Sequence, residues 1–125
     1  NEKNNGLMVL KLINEKLVSS VHDVSSGGLI LALAEMVFES GYGIKIDKPK
    51  NLSNIMEYFF SEDQGRYLIE IEPNNLNKIN KFLNENNIYS EIIGTVQKDY
   101  FEIVGNMKIK TNDLYKSNNS WYNNY

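Results

Sequence analysis

The residues with the clearest chemical potential lie in one short segment of the 125-residue chain. Residues 21–29, VHDVSSGGL, place polar side chains and two glycines directly before an apolar run. The start of a helix attracts anions because its first backbone N–H groups are unpaired and carry the positive end of the helix dipole. Gly27 and Gly28 have no side chain, so a ligand can approach the main chain closely. The segment therefore fits an anion-binding turn.

A second interpretation of the same segment needs no ligand. Ser25 or Ser26 can cap the helix, and Asp23 can stabilise its dipole. His22 beside Asp23 suggests an acid–base pair, because a carboxylate can orient an imidazole and raise its pKa. Neighbours in an extended strand point to opposite faces, however, which favours a structural histidine. The residues alone leave both interpretations open.

A second polar cluster follows at residues 60–66, FSEDQGR. It holds the acids Glu62 and Asp63, the amide of Gln64 and the only arginine of the chain, Arg66. Carboxylate oxygens in such a loop could bind magnesium, or the loop could hydrogen-bond a polar ligand. Alternatively, Arg66 pairs with Glu62 or Asp63 at the surface, a contact worth under about 1 kcal/mol.

The elements that position these clusters follow from apolar periodicity. Helical spacing predicts helices over residues 7–18, 29–39 (ended by Gly41), 51–60 (capped by Asn51 or Ser53) and 73–87. Alternation and turn residues predict strands over residues 43–47, 66–72, 88–96, 100–104 and 107–110, and residues 21–24 form a short extended segment before the glycines. The predicted fold class is α+β, with a single mixed or antiparallel sheet of four to five strands and helices packed on it.

Composition excludes several classes of function. Thirteen basic against sixteen acidic residues give a formal charge of −3, which argues against a nucleic-acid partner. Cysteine is absent and histidine occurs once, so disulfides, thiolate nucleophiles, cysteine metal sites and multi-histidine metal centres are excluded. No run approaches the roughly 20 apolar residues that cross a bilayer, so we expect no membrane partner.

The length of the chain suits one hydrophobic core, since domains typically contain about 100–150 residues. Its first residues, NEKNNG, are polar and resemble an interdomain linker. We therefore predict a linker from missing upstream domains over residues 1–6 and one domain over residues 7–125.

Four segments in order carry a family resemblance: VHDVSSGGL at 21–29, ALAEM at 32–36, FSEDQGRY at 60–67 and IGTV at 93–96. From about residue 7 to 104, the chain resembles the C-terminal domain of phosphoribosylformylglycinamidine synthase, subunit II. That synthase is also called formylglycinamide ribonucleotide amidotransferase and belongs to the aminoimidazole ribonucleotide synthetase superfamily. The histidine-led glycine segment with its ALAEM helix is more particular to this synthase than to other superfamily members.

The resemblance implies a cytoplasmic ligase of purine biosynthesis. Such enzymes convert formylglycinamide ribonucleotide, ATP and glutamine-derived ammonia to the amidine, ADP and phosphate, with ATP and magnesium as cofactors of the complete enzyme. The implied partners are the missing N-terminal domains, a glutaminase subunit and a small accessory subunit. The family's catalytic histidine lies on the missing domains, so we assign this chain no catalytic residue and no metal ligand, and we expect it to be inactive alone.

Two alternatives compete with this function. One is a fragment of another ATP-dependent superfamily member, of the selenophosphate synthetase or hydrogenase-maturation type. The other is a protein-interaction module that docks through its tyrosine-rich surface, since aromatic residues are enriched in interface cores.

The resemblance also implies ligand-binding residues at the matching positions. These are Asp23, Ser25, Ser26, Gly27, Gly28, Glu62 and Gln64. In the first-half copy of this domain type, the matching aspartate helps to hold magnesium and the acidic loop contacts substrate, whereas the second copy is associated with an auxiliary nucleotide site. Ser26 replaces a frequent aspartate, which weakens a metal site. Asp63 replaces a frequent serine, which disfavours an anionic substrate beside Glu62.

Overall fold

A computed structural model of the chain describes residues 2–47 and 54–120. Its elements are, in chain order, α1 (Glu2–Asn14), β1 (Ser20–Val24), α2 (Gly28–Ser40), β2 (Gly43–Ile46), α3 (Ile55–Phe60), β3 (Arg66–Glu70), a 3-10 turn (Pro73–Asn75), α4 (Leu76–Glu85), β4 (Gly94–Gln97), β5 (Tyr100–Ile103), β6 (Met107–Lys110) and α5 (Thr111–Ser120). The predicted α+β class is confirmed.

The six strands of the described chain form two sheets. Strands β1 and β3 pair antiparallel, with Ser20 opposite Glu70 and Val24 opposite Arg66. The second sheet has the order β4-β2-β5-β6, in which only β2 and β5 run parallel. The mixed four-stranded sheet agrees with the prediction, but the additional two-stranded sheet does not fit a single sheet. Periodicity locates strands without identifying their pairing partners.

The first compact unit contains the described residues 2–32 and 59–91. Its buried cluster joins the end of α1 to α4 and consists of Leu12, Leu17, Ile79 and Leu83. Partly buried apolar residues pack around that cluster: Met8, Val18, Ile69, Ile71, Phe82 and Ile88. The Asn75 side-chain amide donates to the Leu17 carbonyl at 3.3 Å, which ties the turn before α4 to the segment before β1.

The second compact unit contains the described residues 33–47, 54–58 and 92–120. One face of its sheet is apolar, and its most buried members are Ile46 and Phe101. The opposite face is polar: Lys108 Nζ lies 3.5 Å from Glu102 Oε2 and 4.7 Å from the centre of the Tyr100 ring. A sheet with one apolar and one polar face is typical of strands buried on one side only.

Helix α1 begins at Glu2, whereas the sequence predicts a linker over residues 1–6. Residues 2–6 therefore extend the helix instead of preceding it. The Asn5 side-chain amide donates to the Gly65 carbonyl at 2.9 Å, a long-range contact that holds the first turns in place. The division of the chain into a linker and one domain over residues 7–125 remains a prediction.

The start of β4 differs from the prediction, and the start of α3 lies next to residues outside the described ranges. The predicted strand over residues 88–96 forms only from Gly94, because the Ile88 N–H donates to the Leu83 carbonyl at 2.9 Å and closes helix α4. Helix α3 is capped by Asn54, whose side-chain oxygen accepts hydrogen bonds from the N–H groups of Met56 and Glu57. The predicted caps at residues 51 and 53 lie outside the described residues.

Candidate functional site

The pairing of β1 with β3 brings the two polar clusters together. We call residues 25–28 the glycine turn, which follows β1, and residues 61–65 the acidic loop, which precedes β3. Because the strands are antiparallel, Val24 at the end of β1 lies opposite Arg66 at the start of β3. The glycine turn therefore leaves the sheet where the acidic loop enters it.

One hydrogen bond joins the two segments directly. The Gly27 N–H donates to Glu62 Oε1 at 2.7 Å, across 35 positions of sequence. Within the turn, the Gly28 N–H donates to the Ser25 carbonyl at 3.1 Å. A bond between an amide and an ionised carboxylate is charge-assisted and stronger than one between neutral groups. The anion at this turn is therefore the chain's own carboxylate.

Both glycines of the turn adopt backbone angles that other residues avoid. The φ angle is +81° at Gly27 and +70° at Gly28. A Cβ atom on Gly28 would lie 2.7 Å from the Phe59 carbonyl oxygen and 2.7 Å from the Phe60 carbonyl carbon. A Cβ on Gly27 would lie 2.7 Å from the side chain of Leu31, which can move more easily than backbone. Gly28 is thus confined both by its conformation and by its neighbours.

The acidic loop forms further contacts within itself. The Ser61 hydroxyl donates to Asp63 Oδ2 at 2.6 Å, and the same Asp63 oxygen lies 3.8 Å from Arg66 Nη1. Arg66 Nη1 also donates to the Ser61 carbonyl at 3.5 Å. The interpretation that Arg66 pairs with a loop carboxylate is confirmed for Asp63. Because Asp63 is 74% exposed, the pair contributes little to stability.

The remaining predicted ligand-binding residues lie in the same two segments or in β1 with exposed side chains: Asp23, Ser25, Ser26 and Gln64. Their role in binding stays a prediction. The imidazole of His22 donates from Nδ1 to the Asp23 carbonyl at 2.6 Å, whereas its distance to the Asp23 carboxylate is 3.9 Å. The backbone contact fixes the proton on Nδ1 and supports the structural interpretation of this histidine.

Magnesium is the metal that the family resemblance implies for the complete enzyme. Within residues 2–47 and 54–120, no three histidine, aspartate or glutamate side chains converge as a metal site would require. The Glu62 and Asp63 carboxylates already accept from an amide and a hydroxyl. We therefore assign no metal-dependent step to these residues. The described helices include none long and apolar enough to cross a membrane.

The structure also shows a cleft that sequence reasoning missed. It has a volume of about 400 Å³ and is lined by Asn4, Asn5, Arg66, Asn86, Asn87, Ile88 and Tyr89. The Tyr89 hydroxyl donates to Glu91 Oε2 at 3.1 Å, and this hydrogen bond, with the carboxylate charge, raises the pKa of Tyr89. The asparagines gave no signal, because this residue type is abundant throughout the chain.

The fold and the joined polar segments define a class of domain. Residues 2–105 match the family described as AIR synthase related protein, C-terminal domain. The chain therefore belongs to that family, as its sequence motifs predicted.

Individual relatives show which members of the family this chain resembles. The chain is 45% identical to the phosphoribosylformylglycinamidine synthase subunit PurL of Pelagibacter ubique over 125 residues, which is 100% of this chain and 17% of that protein. It is 41% identical to the same subunit of Bartonella bacilliformis over 121 residues, 97% of this chain and 16% of that protein. The chain thus spans about one sixth of the length of these curated relatives.

Solved structures confirm the fold. T. maritima PurL complexed with FGAR matches with a TM-score of 0.78 and 19% identity, over 91% of this chain and 21% of that one. T. maritima PurL complexed with ATP matches with a TM-score of 0.77 and 18% identity, over 90% and 21% of the two chains. At this level of identity, the similarity concerns the fold alone.

Proposed function

We propose that the chain is the C-terminal domain of a phosphoribosylformylglycinamidine synthase of the PurL type. The observation that carries this proposal is 45% identity to a PurL subunit along all 125 residues. The complete enzyme is an ATP-dependent carbon–nitrogen ligase. It converts formylglycinamide ribonucleotide, ATP and glutamine-derived ammonia to formylglycinamidine ribonucleotide, ADP and phosphate. In that reaction the phosphoryl group of ATP activates the formamide oxygen, and ammonia then displaces phosphate.

Within that enzyme, the domain has a supporting role in our proposal. The Gly27 amide donates to Glu62, and the Asp63 carboxylate engages Ser61 and Arg66. These groups are thus committed to holding the domain's own loops together. The domain packs against the remaining domains and completes the nucleotide-binding clefts, while the reacting groups lie on those other domains.

The proposed setting includes further components. ATP and magnesium serve the complete enzyme in the cytoplasm. The partners are the N-terminal domains of the same enzyme, a glutaminase subunit and a small accessory subunit. A solved T. maritima structure described as PurLQS matches this chain with a TM-score of 0.76 and 19% identity, over 88% of this chain and 21% of that one, which supports assembly with other subunits.

A complementation assay tests the proposal. The Pelagibacter ubique subunit is shortened by the region that aligns with this chain, and the purified 125-residue chain is added to it. ADP release is measured with formylglycinamide ribonucleotide, ATP and ammonia, so that no glutaminase is needed. Omission of formylglycinamide ribonucleotide controls for unproductive ATP hydrolysis.

We expect turnover only when both pieces are present. Turnover by the 125-residue chain alone would contradict its supporting role. Binding of the chain to the shortened subunit without restored turnover would contradict the assignment to this synthase. In that case, addition of the chain to a selenophosphate synthetase shortened by its own C-terminal domain, assayed with selenide and ATP, would test the selenophosphate synthetase alternative.

A further inference from the structure

The contact between Gly27 and Glu62 has a consequence for ligand access to the glycine turn. An amide carries a single hydrogen, and that of Gly27 already points to a carboxylate oxygen at 2.7 Å. A phosphate or carboxylate from solution would need the same hydrogen. Glu62 and any external anion therefore compete for one donor.

The backbone before Glu62 is fixed against the glycine turn. Phe59 is 2% exposed, and its carbonyl lies so close to Gly28 that a Cβ atom there would be 2.7 Å away. Glu62 follows only three residues after this buried anchor. Its carboxylate is therefore delivered to Gly27 from a short, firmly held segment.

The far end of the acidic loop is fixed as well. The Gly65 carbonyl accepts a hydrogen bond from the Asn5 side chain at 2.9 Å, and Arg66 begins strand β3 opposite Val24. A group tethered at both ends by a short loop has a high effective concentration, in the millimolar range for short linkers. A free anion of the same intrinsic affinity must exceed that effective concentration to displace Glu62.

We propose that the Glu62 carboxylate acts as an internal anion at the Gly27 amide. It joins the acidic loop to the glycine turn and prevents external phosphate from binding that amide. This inference goes beyond the proposed function and does not depend on it. Asp63, its neighbour, supplies the matched control because it carries the same charge but contacts Ser61 and Arg66 instead.

The test uses backbone amide NMR on the 125-residue chain. Hydrogen exchange of the Gly27 amide is measured in the parent chain and in Glu62→Ala, Glu62→Gln and Asp63→Asn. Each protein is then titrated with inorganic phosphate at constant ionic strength, with chloride as the balancing anion. The amide of Gly41, outside both segments, reports whether each variant keeps its fold.

We expect Glu62→Ala to speed exchange at Gly27 about tenfold, as for loss of a hydrogen bond to a charged acceptor. We also expect its Gly27 signal to shift with phosphate. The parent chain and Asp63→Asn should show neither effect, and Glu62→Gln, which keeps a neutral acceptor, should be intermediate. A phosphate shift in the parent chain equal to that in Glu62→Ala would overturn the inference, as would unchanged exchange in folded Glu62→Ala.

Discussion

The two ends of helix α2 both depend on glycine, but for different reasons. Gly28 at the start has a φ angle of +70°, and Gly41 just after the end has a φ angle of +71°. A Cβ atom on Gly28 would meet backbone at 2.7 Å, whereas a Cβ on Gly41 would meet nothing within 4 Å. Glycine is therefore required by conformation alone at the end of α2, and by both conformation and packing at its start.

The hydrogen bonds at the two ends of α2 also differ, because one is local and the other joins distant parts of the sequence. The Gly41 N–H donates to the Val37 carbonyl at 3.0 Å, a local bond that continues the helix. The Gly27 N–H instead donates to Glu62, 35 positions away. The end of α2 is thus built by nearby sequence, whereas its start depends on the sheet that brings the acidic loop alongside. Substitutions at the start should therefore cost more.

The largest effect is expected for Gly28→Ala. The new Cβ is strained by the positive φ angle and displaces the Phe59 and Phe60 backbone, so the free energy of unfolding should fall by about 4 kcal/mol. Urea unfolding followed by circular dichroism measures the change. A loss no larger than about 1.6 kcal/mol, the most expected from strain alone once the stiffer unfolded chain is counted, would show that the backbone contact is not confining.

Gly27→Ala should have an intermediate effect. Its Cβ would lie 2.7 Å from Leu31 Cδ2, which can move by a change of rotamer, and 2.9 Å from Leu31 Cβ, which cannot, so we expect a loss of about 2 kcal/mol. The double variant with Leu31→Ala removes the 2.7 Å contact with Leu31 Cδ2 but leaves the strain and the 2.9 Å contact with Leu31 Cβ. A coupling of zero in this double-mutant cycle would rule out the outer part of the Leu31 side chain as a cause.

Glu62→Ala should lower the free energy of unfolding by about 1 kcal/mol, because it removes the acceptor of the Gly27 amide at an exposed position. Asp63→Asn should change it by less than about 0.5 kcal/mol, since its ion pair is exposed. Equal losses in the two variants would indicate a general charge effect rather than a specific hydrogen bond. Chemical denaturation of both variants in one buffer makes the comparison.

Among the glycine substitutions, the smallest effect is expected for Gly41→Ala. The left-handed conformation costs about 1–2 kcal/mol for a residue with a Cβ, and the stiffer unfolded chain returns about 0.4–1 kcal/mol of that. The net loss should lie between about 0 and 1.6 kcal/mol, measured by urea unfolding. A loss as large as that of Gly28→Ala would remove the contrast between the two ends.

Much of the fold was predictable from local pattern. The apolar run of α2, its end at Gly41 and the hairpin of β5 and β6 all follow from periodicity and turn residues. The strand predicted over residues 88–96 begins only at Gly94, because Ile88 continues the apolar pattern while its N–H closes helix α4. An alternating pattern does not reveal which backbone group a residue will bond.

The candidate site was predictable only in parts. The glycine turn and the acidic loop each stand out by composition, and the resemblance named residues in both. Their direct contact through Gly27 and Glu62 follows from the β1–β3 register, which joins segments far apart in sequence. The asparagine-rich cleft had no signal at all, because asparagine is common along the whole chain.

The most direct test examines the two ends of helix α2 in the complementation assay for the proposed function. The complementation assay is repeated with the parent chain, Gly28→Ala and Gly41→Ala, at a temperature at which all three are folded by circular dichroism. We expect the parent chain and Gly41→Ala to restore ADP release to the shortened synthase, and Gly28→Ala to restore much less. Equal restoration by all three chains would contradict the conclusion that the confined start of helix α2 matters more to this domain than its end.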